Sequence, residues 1–506
     1  MNEELQQEML KENAPYNLEE LNKKTILDKK IFEYIFSIDE PADREQIIVD
    51  LQQKAEDFKI LPNFKRTLRS YEKKYKNENI QNNFTKLTHD EVANKLLDEN
   101  EIVVYENDIC IYEDGVYKKD EKDISRKVIE IVPDANTYFR KEVYNYLLLK
   151  AEEREFDREC GIINFKNGLF SIKERKMYKH SPKFFSTNQV NTELNLNAPK
   201  VQAIDDVLEK ISCGVYERKQ TILEMIGYAM TTSIKLQKAF ILYGNKARNG
   251  KSTLIDIITY LLGDENVSTT SFKDMNQNKF AGSGIKNKLL NSGSEMTDEY
   301  IVDVEIFKKW VTGDYLDIEE KFKPKQKIRP YAKFIFSANE LPRVADKTDG
   351  FYRRLQIIPL EYSFTDKDRK AFDFNKLISK EALEYLAKIS LEAYLNMGDN
   401  FSNFEENKTE ISKYKIENNN ILSFINNEDY LHPFIEKNSV RYASEVYALY
   451  KDYCTENEYK FVGMQKFYKE IEKSKLIIYV GKHNNQKTYS FNKDFYNNTA
   501  TPLSQS

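Results

Sequence analysis

With 506 residues the chain is long enough for roughly three or four domains with well-buried cores, and its net charge of −5 excludes global basicity as a basis for nucleic-acid binding, which would have to come from local patches. Its four cysteines, Cys110, Cys160, Cys213 and Cys454, stand singly without a Cys-x-x-Cys pair beside only four histidines, which argues against a zinc site or a disulfide framework and fits a reducing cytoplasm. The opening MNEELQQEMLKENAPY is acidic and polar, and no stretch approaches about eighteen apolar residues, so neither a signal peptide nor a membrane span is expected.

Residues 1–88 are charge-rich and helix-patterned, as in DREQIIVDLQQKAEDF, and read as a helical accessory region. The basic run between Lys65 and Lys76 suits either a solvated helix face or contact with a phosphate backbone, and leads into an Asn-rich linker, NENIQNNF. Residues 89–200 read as an α+β domain. There IVVYENDICIYEDGVYKK alternates around Asp114-Gly115, predicting a hairpin, and the strand-like INF and LFSI flank a turn at Asn167-Gly168. His180, beside Pro182 in a loop, reads as structural. Residues 201–236 carry apolar side chains at helical spacing (Val207, Leu208, Ile211, then Ile222, Leu223, Ile226, Met230), predicting a helical collar ahead of a core at 237–395.

That core opens with ILYGNKARNGKSTLIDIITYLLG: a short apolar strand, a glycine-bearing loop and a helix ending at Gly263. The pattern is that of a phosphate-binding loop. Gly250 lets backbone N–H groups approach phosphate oxygens, Lys251 brings positive charge to the β and γ phosphates of ATP, and Ser252 offers a hydroxyl to Mg²⁺. Gly244, Asn249 and Thr253 complete the expected nucleotide-binding set, although the loop is one residue longer than the usual G-x-x-x-x-G-K-[ST] and has Asn245 at the first glycine position. Downstream, Leu289 to Gly293 reads as a second strand ending on Glu295, the expected Mg²⁺-holding or water-polarising carboxylate, with Asp298 and Glu299 close by. Lys321, Lys323, Lys325 and Lys327 then alternate through a Pro-containing loop, placing them on one face of an extended tip suited to a sugar-phosphate backbone or simply to water. Ala332 to Ala338 is a buried-strand candidate ending on Asn339, whose amide can bond the attacking water or the γ phosphate. The pair Arg353-Arg354 precedes a further strand, and one of the two is a candidate to project into a neighbouring subunit's nucleotide.

The ordered set NGKST, LLNSGSE, TGDYLDIEEKFK, AKFIFSANELP and DGFYRR resembles helicase superfamily 3, and within it the phage and plasmid primase-helicase family that includes the poxvirus primase-helicase. INFKNGLFSIKERKMYKHSP is similar to the N-terminal domain accompanying these helicases, extending the likeness over roughly residues 90 to 390. The resemblance implies a multidomain α/β chain with an AAA+-type P-loop ATPase core and a homohexameric ring. It makes Lys251, Glu295, Asn339 and Arg353 or Arg354 the catalytic set, Ser252 and Glu295 the Mg²⁺ ligands, and Lys321, Lys323 and Lys325 the pore hairpin. It further implies ATP-driven 3′-to-5′ movement on single-stranded or forked DNA in a bacterial host's cytoplasm. Primase activity is not carried over, because the first 90 residues show no polymerase-type acidic triad and no zinc ligands.

Residues 396–418 read as a linker and 496–506 as a disordered tail. Between them, 419–495 have the helix, helix, β-hairpin outline of a winged helix, with the hairpin turning at His483 to Gln486. Gln465, Lys466 and Lys469 would face a groove while Lys482 and Lys487 on the wing would touch phosphates of an origin duplex; contact with a replication protein is the other use of such a module. The functional expectation is a replicative DNA helicase of a mobile element. An origin-binding initiator whose P-loop mainly assembles the oligomer, a packaging or remodelling ATPase, and a primase-helicase with an unrecognised primase activity are the alternatives. The full hydrolytic set argues against a purely structural site, and the lysine hairpin between Glu295 and Asn339 argues against packaging.

Overall fold

The structure is a computed structural model that describes residues 14–38, 41–82, 87–296, 300–320, 325–371, 373–427, 429–430, 440–457, 459–473 and 477–491. The chain divides into two compact units, Met1–Asn100 with Glu121–Ala151, and Glu101–Asp120 with Glu152–Ser506. No helix among the described residues is long and apolar enough to cross a membrane.

The first unit is helical. Lys29–Ser37, capped by Asp28 accepting from Lys30 N at 2.9 Å, packs with Pro41–Asp57 and Leu61–Asn82 around Phe32, Ile35, Leu51 and Phe64. The helix Leu61–Asn82 runs through most of the expected Asn-rich linker, of which residues 83–86 lie outside the described residues. His89–Glu99 begins with a reciprocal Thr88/Glu91 capping box, and it joins Glu121–Ile131 and Thr137–Lys150 in this same unit. The expected boundary at residue 88 is therefore corrected: the helices of the anticipated α+β domain belong with the N-terminal helices, and its strands belong with the second unit. Helical spacing says that a face is buried, not what buries it.

In the second unit, Asp108–Glu113 and Val116–Lys118 form the expected hairpin, with Asp114 and Gly115 both at positive φ. Ile162–Phe165 and Gly168–Ser171 pair as well, but the turn is Lys166-Asn167, one residue earlier than expected, because Phe165 pairs with Gly168. His180 is structural as read: its Nε2 lies 2.8 Å from Phe165 O and 3.1 Å from Asn164 Oδ1.

The centre of this unit is a five-stranded parallel sheet of β1 (Ala239–Tyr243), β2 (Val267–Ser268), β3 (Leu290–Met296), β4 (Lys333–Ala338) and β5 (Leu355–Pro359), in the order β5-β1-β4-β3-β2. Both faces are covered, which is why β1, β4 and β5 read as continuous apolar runs. Phe240, Leu242, Ile335 and Ile358 face helix α1 (Lys251–Leu262) together with Gln202–Ile211, Tyr216–Ala229 and Lys380–Asn396. Ala239, Ile241, Phe334, Phe336 and Ile357 face Phe272, Phe307, Trp310 and Tyr414. The expected collar at 201–236 is thus a layer of the core itself: Ile204, Val207, Leu208, Ile211, Ile222 and Ile226 are all buried in it.

The expected linker at 396–418 is also corrected. Helix α2 (Phe404–Glu417) sits against β5, an edge strand whose outward backbone groups need partners. Asn407 supplies them: its Oδ1 accepts from Ile357 N at 2.8 Å and its Nδ2 donates to Leu355 O at 3.3 Å. At the end of this helix, Asn418 accepts from Val344 N and donates to Tyr352 OH, both at 2.8 Å. Asn407→Leu is expected to destabilise the chain by about 2–4 kcal/mol by orphaning two buried backbone groups, whereas exposed Lys408→Ala should shift stability by less than ~0.5 kcal/mol. Urea denaturation decides it, and equal midpoints would return this segment to the status of a linker.

The C-terminal part carries Asn420–Ile425, Val440–Tyr442, Ala443–Glu456, helix α3 (Met464–Lys473) and the strand pair Ile477–His483/Gln486–Phe491, packed around Phe424, Tyr450, Phe467, Ile471 and Tyr489. The expected hairpin turns through Asn484 and Asn485, both at positive φ. The tail at 496–506 lies outside the described residues.

Candidate nucleotide site

The strand order brings the expected site residues to one edge. In a parallel sheet the carboxyl ends of all strands face the same way, so the residues following β1, β3 and β4 converge. Gly244 follows β1, Glu295 lies in an irregularity of β3 between Gly293 and Met296, and Asn339 follows β4. Asp298 and Glu299 lie outside the described residues.

The loop from Gly244 to Gly250 is held closed by its own residues. Gly244 N donates to Ala338 O at 3.0 Å, and a Cβ on Gly244 would lie 2.4 Å from Leu360 O and 2.6 Å from Asn249 Nδ2. Only glycine fits there. Asn249 is buried and its Nδ2 donates to Gly244 O at 3.2 Å, bridging the two ends of the loop. Gly250, at φ +82°, is the N-cap of α1, leaving the first N–H groups of the helix without intrahelical partners. Ser252 is exposed and Thr253 half-buried in the first turn.

Lys251 is the centre of the constellation. Its side chain turns back over the loop, and its ammonium donates to Gly244 O at 2.7 Å, to Ala338 O at 3.1 Å and to the side-chain oxygen of Asn339. Burial pushes its pKa down, an effect that the Glu295 carboxylate opposes. One cation therefore joins the phosphate loop, the end of β4 and the amide expected to sense the γ phosphate.

Ser252 and Glu295 are both exposed hard-oxygen donors. Among the described residues no three His, Cys, Asp or Glu side chains gather to hold a metal, so a caged ion is not what this edge is built for. One hydroxyl and one carboxylate, with phosphate oxygens completing the shell, is the pattern that suits Mg²⁺.

The two arginines separate. Arg353 is exposed, whereas Arg354 is 9% exposed, its NH1 donates to Gly350 O and its Nε has no partner. Arg354 is thereby removed as a projecting group, a correction to its candidacy. Both lie at the amino end of β5, opposite the loop.

The hairpin expected to carry lysines exists: Leu316–Ile318 pairs with Gln326–Ile328. Lys321 and Lys323 lie outside the described residues. Lys325 is paired with Glu319 at 3.0 Å, and Lys279 reaches the same carboxylate at 3.0 Å. At the hairpin's base, exposed Tyr315 has Lys327 Nζ 4.8 Å and the Arg329 guanidinium 5.4 Å from its ring centre. In the C-terminal part, Lys469 and Lys487 line a common groove and Lys482 stands directly opposite Lys487. Lys466 does not line that groove; it lies near Lys347, whose pKa is pushed down by burial and by Lys466.

Sequence reasoning missed the segment that braces the lengthened loop. Phe364 N donates to Arg248 O at 2.9 Å, Ser363 Oγ donates to Ala247 O at 3.1 Å, and Arg248 pairs with Asp366 at 3.0 Å. The extra residue is absorbed by these contacts, mostly backbone ones with no side-chain signature. The buried Arg218, paired with Glu406 at 2.6 Å and Glu361 at 3.4 Å, was also missed; its position at the start of a helix of the presumed collar gave no signal.

The family described as "D5 N terminal like" matches residues 45–213, and a family of unknown function, DUF5906, matches residues 242–354, which contain the loop, Glu295, Asn339 and both arginines. Over 242 residues the chain is 24% identical to "Putative helicase L207/L206" of Acanthamoeba polyphaga mimivirus; the match covers 46% of this chain and 24% of that protein, so the chain spans about a quarter of this curated relative. Among solved structures, apo forms of the NrS-1 C-terminal region match 79% of this chain and 98–99% of theirs, at 13–14% identity and TM-scores of 0.46–0.47.

Proposed function

We propose that the chain is an ATP-driven replicative DNA helicase of the superfamily 3 type, belonging to a phage, plasmid or other mobile element and working as a homohexameric ring in the bacterial host's cytoplasm. The observation that carries this reading is the three-way contact of Lys251 with Gly244, Ala338 and Asn339 beside Glu295, a nucleotide-hydrolysing constellation at one sheet edge. The similarity to a mimivirus protein named as a helicase supports DNA as the partner. The topology and the covered faces support an AAA+-type core, and the helix, helix, hairpin outline supports a winged helix.

In this reading the α1 N-terminus and Lys251 hold the phosphates of ATP, and Ser252 and Glu295 hold Mg²⁺. Bound there, Mg²⁺ supplies neutralisation of the charge on the transferring phosphoryl group. Glu295 polarises the attacking water and Asn339 orients it. Lysines of the 316–328 hairpin follow one strand, moving 3′ to 5′.

Purified chain should unwind 3′-tailed forks in preference to 5′-tailed forks, with a requirement for ATP and Mg²⁺. Unwinding of neither fork would sink the reading. An initiator that uses its loop only for assembly would oligomerise with ATP without hydrolysing it, and ribonucleotides added to the same assay would expose primer synthesis.

A further inference from the structure

We infer that the groove between α3 and the hairpin Ile477–His483/Gln486–Phe491 is a docking site for the phosphodiester backbone of duplex DNA. This deepens the helicase reading by naming a partner for the C-terminal part, yet its evidence lies entirely in that part's own residues.

The groove is a cavity of about 580 Å³. Ser444, Gln465, Lys469, Gln486 and Lys487 bring a hydroxyl, two amides and two ammonium groups to it. The carboxylate among its lining residues, Glu472, accepts a hydrogen bond from Tyr489 OH at 2.8 Å. Donors thus outnumber acceptors. A lining rich in donors from two sides fits a polyanion better than a peptide, whose carbonyls and N–H groups call for both kinds of partner.

Its floor is rigid. Tyr468 hydrogen-bonds to Ala443 O and stacks on Tyr489 with ring centres 4.9 Å apart and an interplanar angle of 14°. Because Tyr468 and Tyr489 are buried, they offer no free ring for unstacked bases, so a single strand lacks the platform it would need. Ser444 opens the fourteen-residue helix Ala443–Glu456, whose first turn also holds Glu445, bonded to Tyr442 N at 3.0 Å.

A separate observation points to an anion. Lys482 and Lys487 are directly paired across the hairpin, so their side chains share a face. Like charges in that register destabilise a two-stranded pair and are relieved by a phosphate between or beside them. Gln465 and Lys469, one helical turn apart, present the facing wall. A backbone lying between helix and hairpin would touch both walls, as duplex DNA does when a helix enters one groove and a hairpin the next.

The test is fluorescence anisotropy of the full chain with a labelled duplex of about two helical turns and with a single strand of equal length, between about 50 and 200 mM salt. Lys469→Glu plus Lys487→Glu should weaken duplex binding about tenfold or more and reduce the slope of log affinity against log salt by about 2, with single-strand binding and basal ATP hydrolysis unchanged. Lys469→Arg plus Lys487→Arg should bind duplex like the wild type. If charge reversal unfolds the chain, as circular dichroism would reveal, Gln465→Ala plus Gln486→Ala should still weaken duplex binding by about threefold or more. Duplex affinity unaltered in the folded variants, or absent from the wild type, overturns the assignment and leaves the groove to a protein partner. Absence of ATP hydrolysis from every chain, with duplex binding still following the lysines, would sink the helicase reading and leave the groove standing.

Discussion

Lys251→Ala is expected to lower ATP hydrolysis about a hundred- to a thousandfold, ~3–4 kcal/mol of lost transition-state stabilisation, as for removal of one preorganised donor from a charge-stabilising site. The side chain is 8% exposed, and the charge it carries is committed to oxygen acceptors from three parts of the sheet edge. A phosphate arriving at the α1 N-terminus offers that ammonium a stronger, charged acceptor than a carbonyl, so binding can redirect Lys251 from Gly244 and Ala338 towards the nucleotide. The same move would free the Asn339 amide to orient water. Lys251→Arg should not restore the rate, because a planar fork cannot reproduce the convergence of three acceptors on one nitrogen. Phosphate release in steady state, with circular dichroism as the folding check, measures the effect. Hydrolysis at wild-type rates in the alanine variant would mean that the site has been placed on the wrong loop.

The parts of this fold that were legible in the sequence are those where burial is apolar and complete. AFILY, KFIFSA and LQIIP are strands with both faces covered, and the residues that follow AFILY and KFIFSA meet at one edge for topological reasons that chain order alone suggests. Helix α2 was hidden because part of its work is polar: Asn407 finishes a sheet edge, and Asn418 at its end ties down the chain between Asn339 and Arg353. Amides used this way look like solvated linker in a hydrophobic pattern. The loop brace at 363–366 was hidden because two of its bonds end on the loop's backbone oxygens. Lys466 was assigned to the groove because helical periodicity places it one residue from Gln465 without saying that its charge lies near Lys347.

Arg353→Ala is expected to reduce kcat about a thousandfold or more, within the range attributed to arginine fingers, while leaving nucleotide affinity within about twofold. The sheet register explains the separation of effects. Leu355 pairs with Ala239 and Pro359 with Tyr243, so Arg353 precedes the amino end of β5 while Gly244 follows the carboxyl end of β1. Those four residue steps alone span about 13 Å, more than an extended arginine side chain, so Arg353 cannot serve the loop of its own chain. Its backbone is fixed, with Arg353 O accepting from Lys238 Nζ at 2.7 Å, while its side chain is exposed and available to a second copy. Arg354 makes the contrast: its guanidinium is buried against Gly350 O, and Arg354→Ala should change the melting temperature more than kcat. Mixing provides the decisive measurement. An Arg353→Ala chain has an intact phosphate loop and no finger, whereas a Lys251→Ala chain has an intact finger and no working loop, so a mixture should hydrolyse ATP well above the sum of the two alone. Wild-type kcat in Arg353→Ala, or a mixture no more active than its parts, would remove Arg353 from catalysis in trans and with it the main reason for placing the active site between subunits.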